Sequence, residues 1–203
     1  MSDLPEISIE EARTRAARAD VAIRDAAETA GLVDVAIGTM DSPIGELYLA
    51  VTPRGVACIA YEEQDRTDLE QGFARALSPR VVVSGRGTDE VRRQLSEYFE
   101  GRRQAFDLRL DDRLMSPFVR KVLRETARVP FGQVSTYGAV AAGIARPSAA
   151  RAVGAALGTN PIPIVIPCHR IVGVSGRLTG YAGGLHRKEF LLRLEGDPVL
   201  PLG

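Results

Sequence analysis

Two hydrophobic rhythms run along these 203 residues, and one gives way to the other near residue 112. In the first stretch the period is two. Leu47, Leu49 and Val51 alternate with Tyr48 and Ala50, and Ile59 and Tyr61 alternate with Cys58 and Ala60. Between these runs lies Thr52-Pro53-Arg54-Gly55, a turn-forming tetrad, so the segment predicts a β-hairpin. Upstream, Ser8-Ile9-Glu10-Glu11 is a capping box that starts a helical stretch, rich in Ala, Arg and Glu, ending near Gly31. Downstream, the pattern predicts helices over residues 66–77 and 89–99, a short strand over 81–83, and a strand over 106–110 in which Phe106, Leu108 and Leu110 alternate. Together these elements describe a small mixed α/β domain with no evident chemistry of its own.

After Asp111-Asp112-Arg113 the spacing becomes helical. Ser116 followed by Pro117 is a good helix start, and Phe118, Val119, Val122, Leu123 and Thr126 form an apolar stripe. Pro130-Phe131-Gly132 breaks the chain. Thr136 can cap a short helix reaching about Ile144, Pro147 can open another reaching Leu157, and a helix running from about Arg187 ends near Glu195. The tight Ala145-Arg146 turn makes the middle pair a helix-turn-helix candidate. The expected fold is α+β: a helical extension over residues 1–34, a mixed α/β domain over 35–112, and a mostly helical domain with a helix-turn-helix over 113–203.

The second helix of that pair carries Ala149, Ala150, Ala152, Val153, Gly154, Ala155 and Ala156, with Arg151 as its only long side chain. Helices that read base edges need several long polar side chains, which this one lacks. Its smoothness suits either close approach to a minor groove or packing in an interior. Arg151, alone on that surface, could fill the space left by a base taken out of the stack.

A formal net charge of zero hides a strong asymmetry. Residues 1–112 carry 14 Arg and no Lys against 22 acidic residues, a net of −8, whereas residues 113–195 carry 10 Arg and 2 Lys against 3 Glu, a net of +9. A basic half suggests a polyanionic partner, because cations that neutralise phosphates release condensed counterions. A solvated, arginine-rich surface would give the same count. The acidic amino terminus lacks the apolar region of a secretory signal, and no apolar run approaches the ~18 residues of a membrane span. A cytoplasmic protein without membrane association is expected.

The candidate chemistry sits at Pro167-Cys168-His169-Arg170, between the apolar run 162–166 and the glycine-rich Gly180-Tyr181-Ala182-Gly183-Gly184. A cysteine beside one of only two histidines, in a stretch stiffened by proline and bent by glycine, is placed like a nucleophile. The other cysteine, Cys58, falls inside the hairpin and reads as a core residue. The two are too far apart in sequence to suggest a disulfide framework, and no cluster of Cys and His has the spacing of a zinc site. No metal and no cofactor are expected.

These residues resemble a known family. Val134-Ser135-Thr136-Tyr137-Gly138, Ala149-Ala150-Arg151-Ala152-Val153-Gly154, the run from Asn160 through Arg170, and Thr179-Gly180-Tyr181-Ala182-Gly183-Gly184-Leu185 are similar to the O6-alkylguanine-DNA alkyltransferases. The likeness extends more weakly to about residue 35, where Asp41-Ser42-Pro43-Ile44-Gly45 is similar to the family's opening strand. Residues 1–34 lie outside it.

The resemblance implies an RNase H-like first domain and a single SN2 transfer of an alkyl group from O6 of a flipped guanine to Cys168. It implies a relay in which a water links Cys168 to His169 and Glu195 orients the histidine, with Asn160 bracing the turn that holds the cysteine. Tyr137 would donate to guanine and push the 3′ phosphate, Arg151 would replace the flipped base, and Tyr181 would pack on it. The backbone carbonyls of Cys168 and Ile171 would accept from the guanine amino group, and the N–H of Ala182 would donate to O6. Serine is common at the Ala182 position and tryptophan at Leu123, so this chain departs there; the zinc ligands of some members have no counterparts. The implied partner is duplex DNA carrying alkylated bases, bound in the minor groove without sequence preference by a monomer, with alkylthymine as a substrate and cooperativity both left open. A thiol hydrolase using Cys, His and Glu, and a lesion sensor that binds without repairing, are the competing readings.

Overall fold

Strand β1 (Val35–Met40) is the keystone of the first half, and the period-two pattern does not reveal it. It pairs antiparallel with β2 (Leu47–Thr52) and parallel with β4 (Val81–Val83), while β2 pairs antiparallel with β3 (Gly55–Tyr61), giving the order β3-β2-β1-β4. Gly38 interrupts the apolar run of β1 for a steric reason. A Cβ there would lie 2.6 Å from the Arg92 guanidinium and 2.8 Å from Thr88 Oγ1, so the missing side chain lets a helix lie across the strand. In this computed structural model residues 8–175, 178 and 180–196 are described. Residues 1–7 of the extension, Thr179 of the glycine-rich motif and 197–203 lie outside them.

The hairpin alternation sorts its side chains to two faces, as a pleated strand requires. Leu47, Leu49, Ile59 and Tyr61 enter one core; Tyr48, Ala50, Cys58 and Ala60 enter a smaller one with Val35, Ile37 and Phe73. Phe73 belongs to α2 (Arg66–Ala76), capped by Asp65. The larger core also takes Val91, Leu95 and Tyr98 from α3 (Gly85–Phe99), which starts earlier than expected because Ser84 caps it, its side chain accepting from the Gly87 N–H. The predicted strand over 106–110 does not form. Its only ladder contact is at Leu110 beside Val56, where the Val56 N–H donates to Arg109 O and the Asp111 N–H donates to Val56 O. Residues 41–45 form the turn from β1 to β2, not a strand, because the Ser42 side chain bonds Gly45 O and Gly45 takes a φ of 100°. Helix α1 (Ile9–Thr29) has its capping box in place, with the Glu11 N–H donating to Ser8 Oγ and the Ser8 N–H donating to Glu11 Oε2. Its described side chains are exposed apart from Ala12 and Ala27.

The second half is helical. α4 (Pro117–Thr126) is capped by Ser116 and buries Val122, Leu123 and Thr126. A two-residue strand β5 (Ser135–Thr136) leads into α5 (Tyr137–Gly143), where Thr136 caps by accepting from the Ala139 N–H. A 3-10 turn (Pro147–Ala149) precedes α6 (Ala150–Gly158), so the second predicted helix begins with a tighter turn than an α-helix has. Between α5 and α6 the Arg146 N–H bonds Ala141 O and the Ala145 N–H bonds Ala142 O, a Schellman closure with Ala145 at a φ of 58°. β6 (Ile171–Val172) pairs parallel with β5, and α7 (Leu185–Leu194) closes the described chain two residues earlier than expected at its start.

The larger core does not stop at the boundary expected near residue 112. Leu49, Ile59 and Leu95 of the first half share it with Leu123, Val153, Ile164 and Leu191 of the second. The free edge of β3 meets residues 109–111 at Val56 and the second half at Ile59, whose N–H donates to Pro161 O. Among the described residues no helix is long and apolar enough to cross a membrane.

Candidate active site

Cys168 opens a one-turn 3-10 helix (Cys168–Arg170) that follows a strained bend. Within that bend Ile164 holds a φ of 72°, which a β-branched residue rarely adopts. It persists because Ile162 and Ile164 are fully buried and because Asn160 stitches the bend together. The Asn160 amide donates to Ile166 O at 3.0 Å and to Cys168 Sγ at 3.1 Å, while its Oδ1 accepts from the Ile162 N–H at 3.0 Å. The asparagine thus fixes the turn and touches the sulfur. Burial raises the Cys168 thiol; the Asn160 bond and the positive field of Lys188 pull the other way.

His169 is entirely buried. Its Nε2 lies 2.9 Å from Glu195 Oε1. A carboxylate can only accept, so Nε2 carries the proton and Nδ1 keeps a lone pair. That Nδ1 makes no hydrogen bond with any described residue. Burial lowers the His169 pKa despite the opposing pull of Glu195, leaving the ring neutral and basic at Nδ1.

Glu195 is buried, not an exposed helix end, and caps α7. Its two oxygens take donors from Tyr98 Oη at 2.7 Å, Arg170 Nε at 2.8 Å, Arg170 Nη2 at 2.9 Å and the Gly132 N–H at 3.3 Å, besides His169. Burial alone would raise its pKa; the bonds from His169, Arg170 and Tyr98 outweigh that and hold it at about 2. The Pro130-Phe131-Gly132 break therefore has a use, since a Cβ on Gly132 would come within 3.0 Å of Glu195 O.

A cavity of about 670 Å³ opens on Cys168 and is lined by Tyr137, Arg151, Gly154, Leu157, Tyr181 and Ala182 among others. Helix α6 gives Val153, Ala156 and Leu157 to the core and leaves Arg151 exposed at the cavity mouth, so its smoothness serves interior packing and an open face at once. Ile171 is buried and does not line the cavity; its carbonyl accepts from Lys188 Nζ at 2.6 Å, which leaves one lone pair. Lys188 is itself fully buried, and burial lowers its pKa to about 8.

The structure revises the charge argument. Arg170, Arg187 and Lys188 are buried and bonded internally, and Arg113, Arg120, Arg124, Arg128 and Arg193 pair with carboxylates. Around the helix-turn-helix the exposed cations without an ion pair, among the described residues, are Lys121, Arg146 and Arg151. Formal charge overstated the basic face.

Sequence reasoning missed Tyr61, Tyr98 and Lys188. Nothing local marks them: Tyr61 ends a strand, Tyr98 sits on an apolar helix stripe, and Lys188 lies in a helix start rich in cations. Arg170 was visible only as a member of its motif.

Comparison with known proteins gives consistent results. The pattern described as 6-O-methylguanine DNA methyltransferase, DNA binding domain, matches residues 117–197, and the pattern of that family's ribonuclease-like domain matches residues 35–111. A methylated-DNA–protein-cysteine methyltransferase of Salmonella typhimurium is 49% identical over 168 residues, covering 78% of this chain and 94% of the relative. One from Mycolicibacterium paratuberculosis is 45% identical over 157 residues, covering 77% and 90%. The crystal structure of Mycobacterium tuberculosis OGT in complex with DNA aligns with a TM-score of 0.69 at 39% identity, covering 79% of this chain and 92% of that one.

Proposed function

The chain belongs to the 6-O-methylguanine DNA methyltransferase family, and from that premise we infer that it repairs O6-alkylguanine by moving the alkyl group onto Cys168. It is a methylated-DNA–protein-cysteine methyltransferase in activity and it binds DNA. The assignment of roles to residues rests on one observation above the others. The sulfur that faces the cavity precedes a buried neutral imidazole whose only unpartnered nitrogen is basic.

The thiol is a weak nucleophile because burial keeps it protonated. A water bridging Sγ and His169 Nδ1 carries the thiol proton to the ring, and Glu195 steadies the resulting imidazolium through Nε2. The thiolate then attacks the alkyl carbon. One S–C bond forms, the C–O6 bond breaks, and the guanine left as an anion regains a proton at N1, so the net exchange is one alkyl group for one proton. No step frees the sulfur again, so each chain acts once.

The substrate reaches the cavity by flipping. Arg151 at the mouth takes the place of the extruded base, Tyr137 donates to it, Tyr181 packs on it and the Ala182 N–H donates to O6. The carbonyls of Cys168 and Ile171 accept from its amino group. Extrusion costs a few kcal/mol and least at a damaged pair, which selects lesions before the pocket tests them. The partner in this reading is duplex DNA carrying an alkylated base, approached from the minor groove by a monomer, in the reducing cytoplasm.

A duplex with one O6-methylguanine tests this. Equimolar protein should restore guanine in a single burst whose amplitude equals the protein present; continued turnover, or lesions left unchanged, would overturn the reading.

A further inference from the structure

A second cavity, of about 530 Å³, adjoins the first, and the two share Leu157, Gly158, Cys168, Tyr181 and Ala182 as lining. Tyr181 is the one aromatic ring that borders both. Besides its contact with Cys168, it has a restraint from the other half of the molecule. The hydroxyls of Tyr61, at the end of β3, and Tyr181 lie 2.6 Å apart in a hydrogen bond in which either can donate. Their rings are tilted by 60° with centroids 6.2 Å apart.

Tyr61 is in turn pinned. It is buried, the Arg187 guanidinium sits 4.7 Å over its ring, and its backbone N–H donates to Gln64 Oε1. Arg187 is anchored by Ile44 O, Gly183 O and the carboxylates of Glu62 and Glu63. The ring fits closely, because a Cβ on Gly183 would fall 2.4 Å from it. These contacts fix the Tyr61 ring and so the position of its hydroxyl.

We propose that Tyr61 is a specificity-determining residue for the alkyl transfer: by fixing Tyr181, it limits the size of O6 substituent that can reach Cys168. Methyl fits with Tyr181 in place. A larger, flat substituent such as benzyl needs Tyr181 to swing toward the second cavity, whose lining includes the apolar Ile59, Leu69, Pro161 and Pro163. The hydroxyl bond resists that movement. This rests on the reading of Cys168 as alkyl acceptor.

The test compares rates of Cys168 alkylation by duplexes carrying O6-methylguanine and O6-benzylguanine, in the full chain and in Tyr61→Phe. That variant keeps the ring and its Arg187 contact and removes only the hydroxyl. The benzyl-to-methyl rate ratio should rise about 2- to 10-fold, the worth of one net hydrogen bond. An unchanged ratio, or both rates falling together as mere loosening of the fold would cause, overturns the proposal. Tyr181→Phe removes the same bond from the other side, so the double variant should show no further rise; an additive rise also counts against it. If the unaltered chain transfers neither group, the alkyl-transfer reading fails instead.

Discussion

The chain holds two buried cysteines in two settings, and the contrast shows what burial does and does not do to a thiol. Cys58 sits on β3 among Tyr48, Ala50, Ala60 and Phe73, and burial alone pushes its pKa up to about 12. Cys168 is just as hidden and burial raises it too, but an amide touches the sulfur, a buried ammonium lies near, and the cavity lined by Tyr137 and Arg151 opens on it, whereas Cys58 lines only the second cavity. Burial makes the first inert. In the second it is the condition under which a few placed dipoles and one base count for most, because a low-dielectric site strengthens each of them.

The sharpest way to break that contrast is to remove each sulfur. Cys168→Ala should abolish alkyl transfer while leaving DNA binding, whereas Cys58→Ala should keep the transfer rate within about 2-fold and lose roughly 1 kcal/mol of stability to a small cavity. Burst assays beside thermal melts check both.

Next in size is the relay. His169→Ala should slow transfer by about 10²- to 10⁴-fold, the usual worth of a positioned base, in single-turnover kinetics. Glu195 matters for folding as well, since its bonds hold its pKa at about 2 against 4.5 for a free carboxyl. A lowered carboxyl stabilises the native state above pH 4.5, and that contribution, about 3 kcal/mol, is lost as pH falls from there toward 2. His169 acts in the same direction at higher pH. Its pKa is lowered below 6.5, so the native ring stays neutral and the unfolded one protonates first as the solution is acidified through that value. Stability and transfer rate should therefore both decline on the acid side of 6.5, the rate only as the native ring protonates. Chemical denaturation and rate profiles across pH measure the two.

Arg151→Ala should slow repair of a duplex about 10-fold and leave reaction with free O6-alkylguanine within about 2-fold, since only the duplex must be held open. Equal losses would assign Arg151 to folding. The smallest effect is expected at the helix-turn-helix corner. Ala145→Gly relieves a left-handed alanine and should add at most about 1 kcal/mol, read as a small rise in melting temperature with transfer unchanged.

Much of this is legible in the sequence itself. The capping box at Ser8 and Glu11, the hairpin, the caps at Ser116 and Thr136, and the adjacent Cys168-His169 pair all depend on neighbours in sequence. β1 was hidden because Gly38 answers to Arg92 and Thr88, not to its own strand. The strand expected over 106–110 failed because its alternation serves packing on the larger core, where Phe106 and Leu108 lie, without a ladder to join. What no local pattern could show is the debt of the site to the sheet. Tyr98 reaches Glu195 across 97 residues and Tyr61 reaches Tyr181 across 120, and such pairings exist only once one core joins both halves.

The most direct test is to expose the protein to a duplex with one O6-methylguanine and map every peptide by mass. One methyl group on the peptide containing Cys168, none on that containing Cys58, and no further gain on a second addition of duplex is the predicted result. Methyl on any other residue, or DNA repaired beyond one lesion per chain, would contradict it.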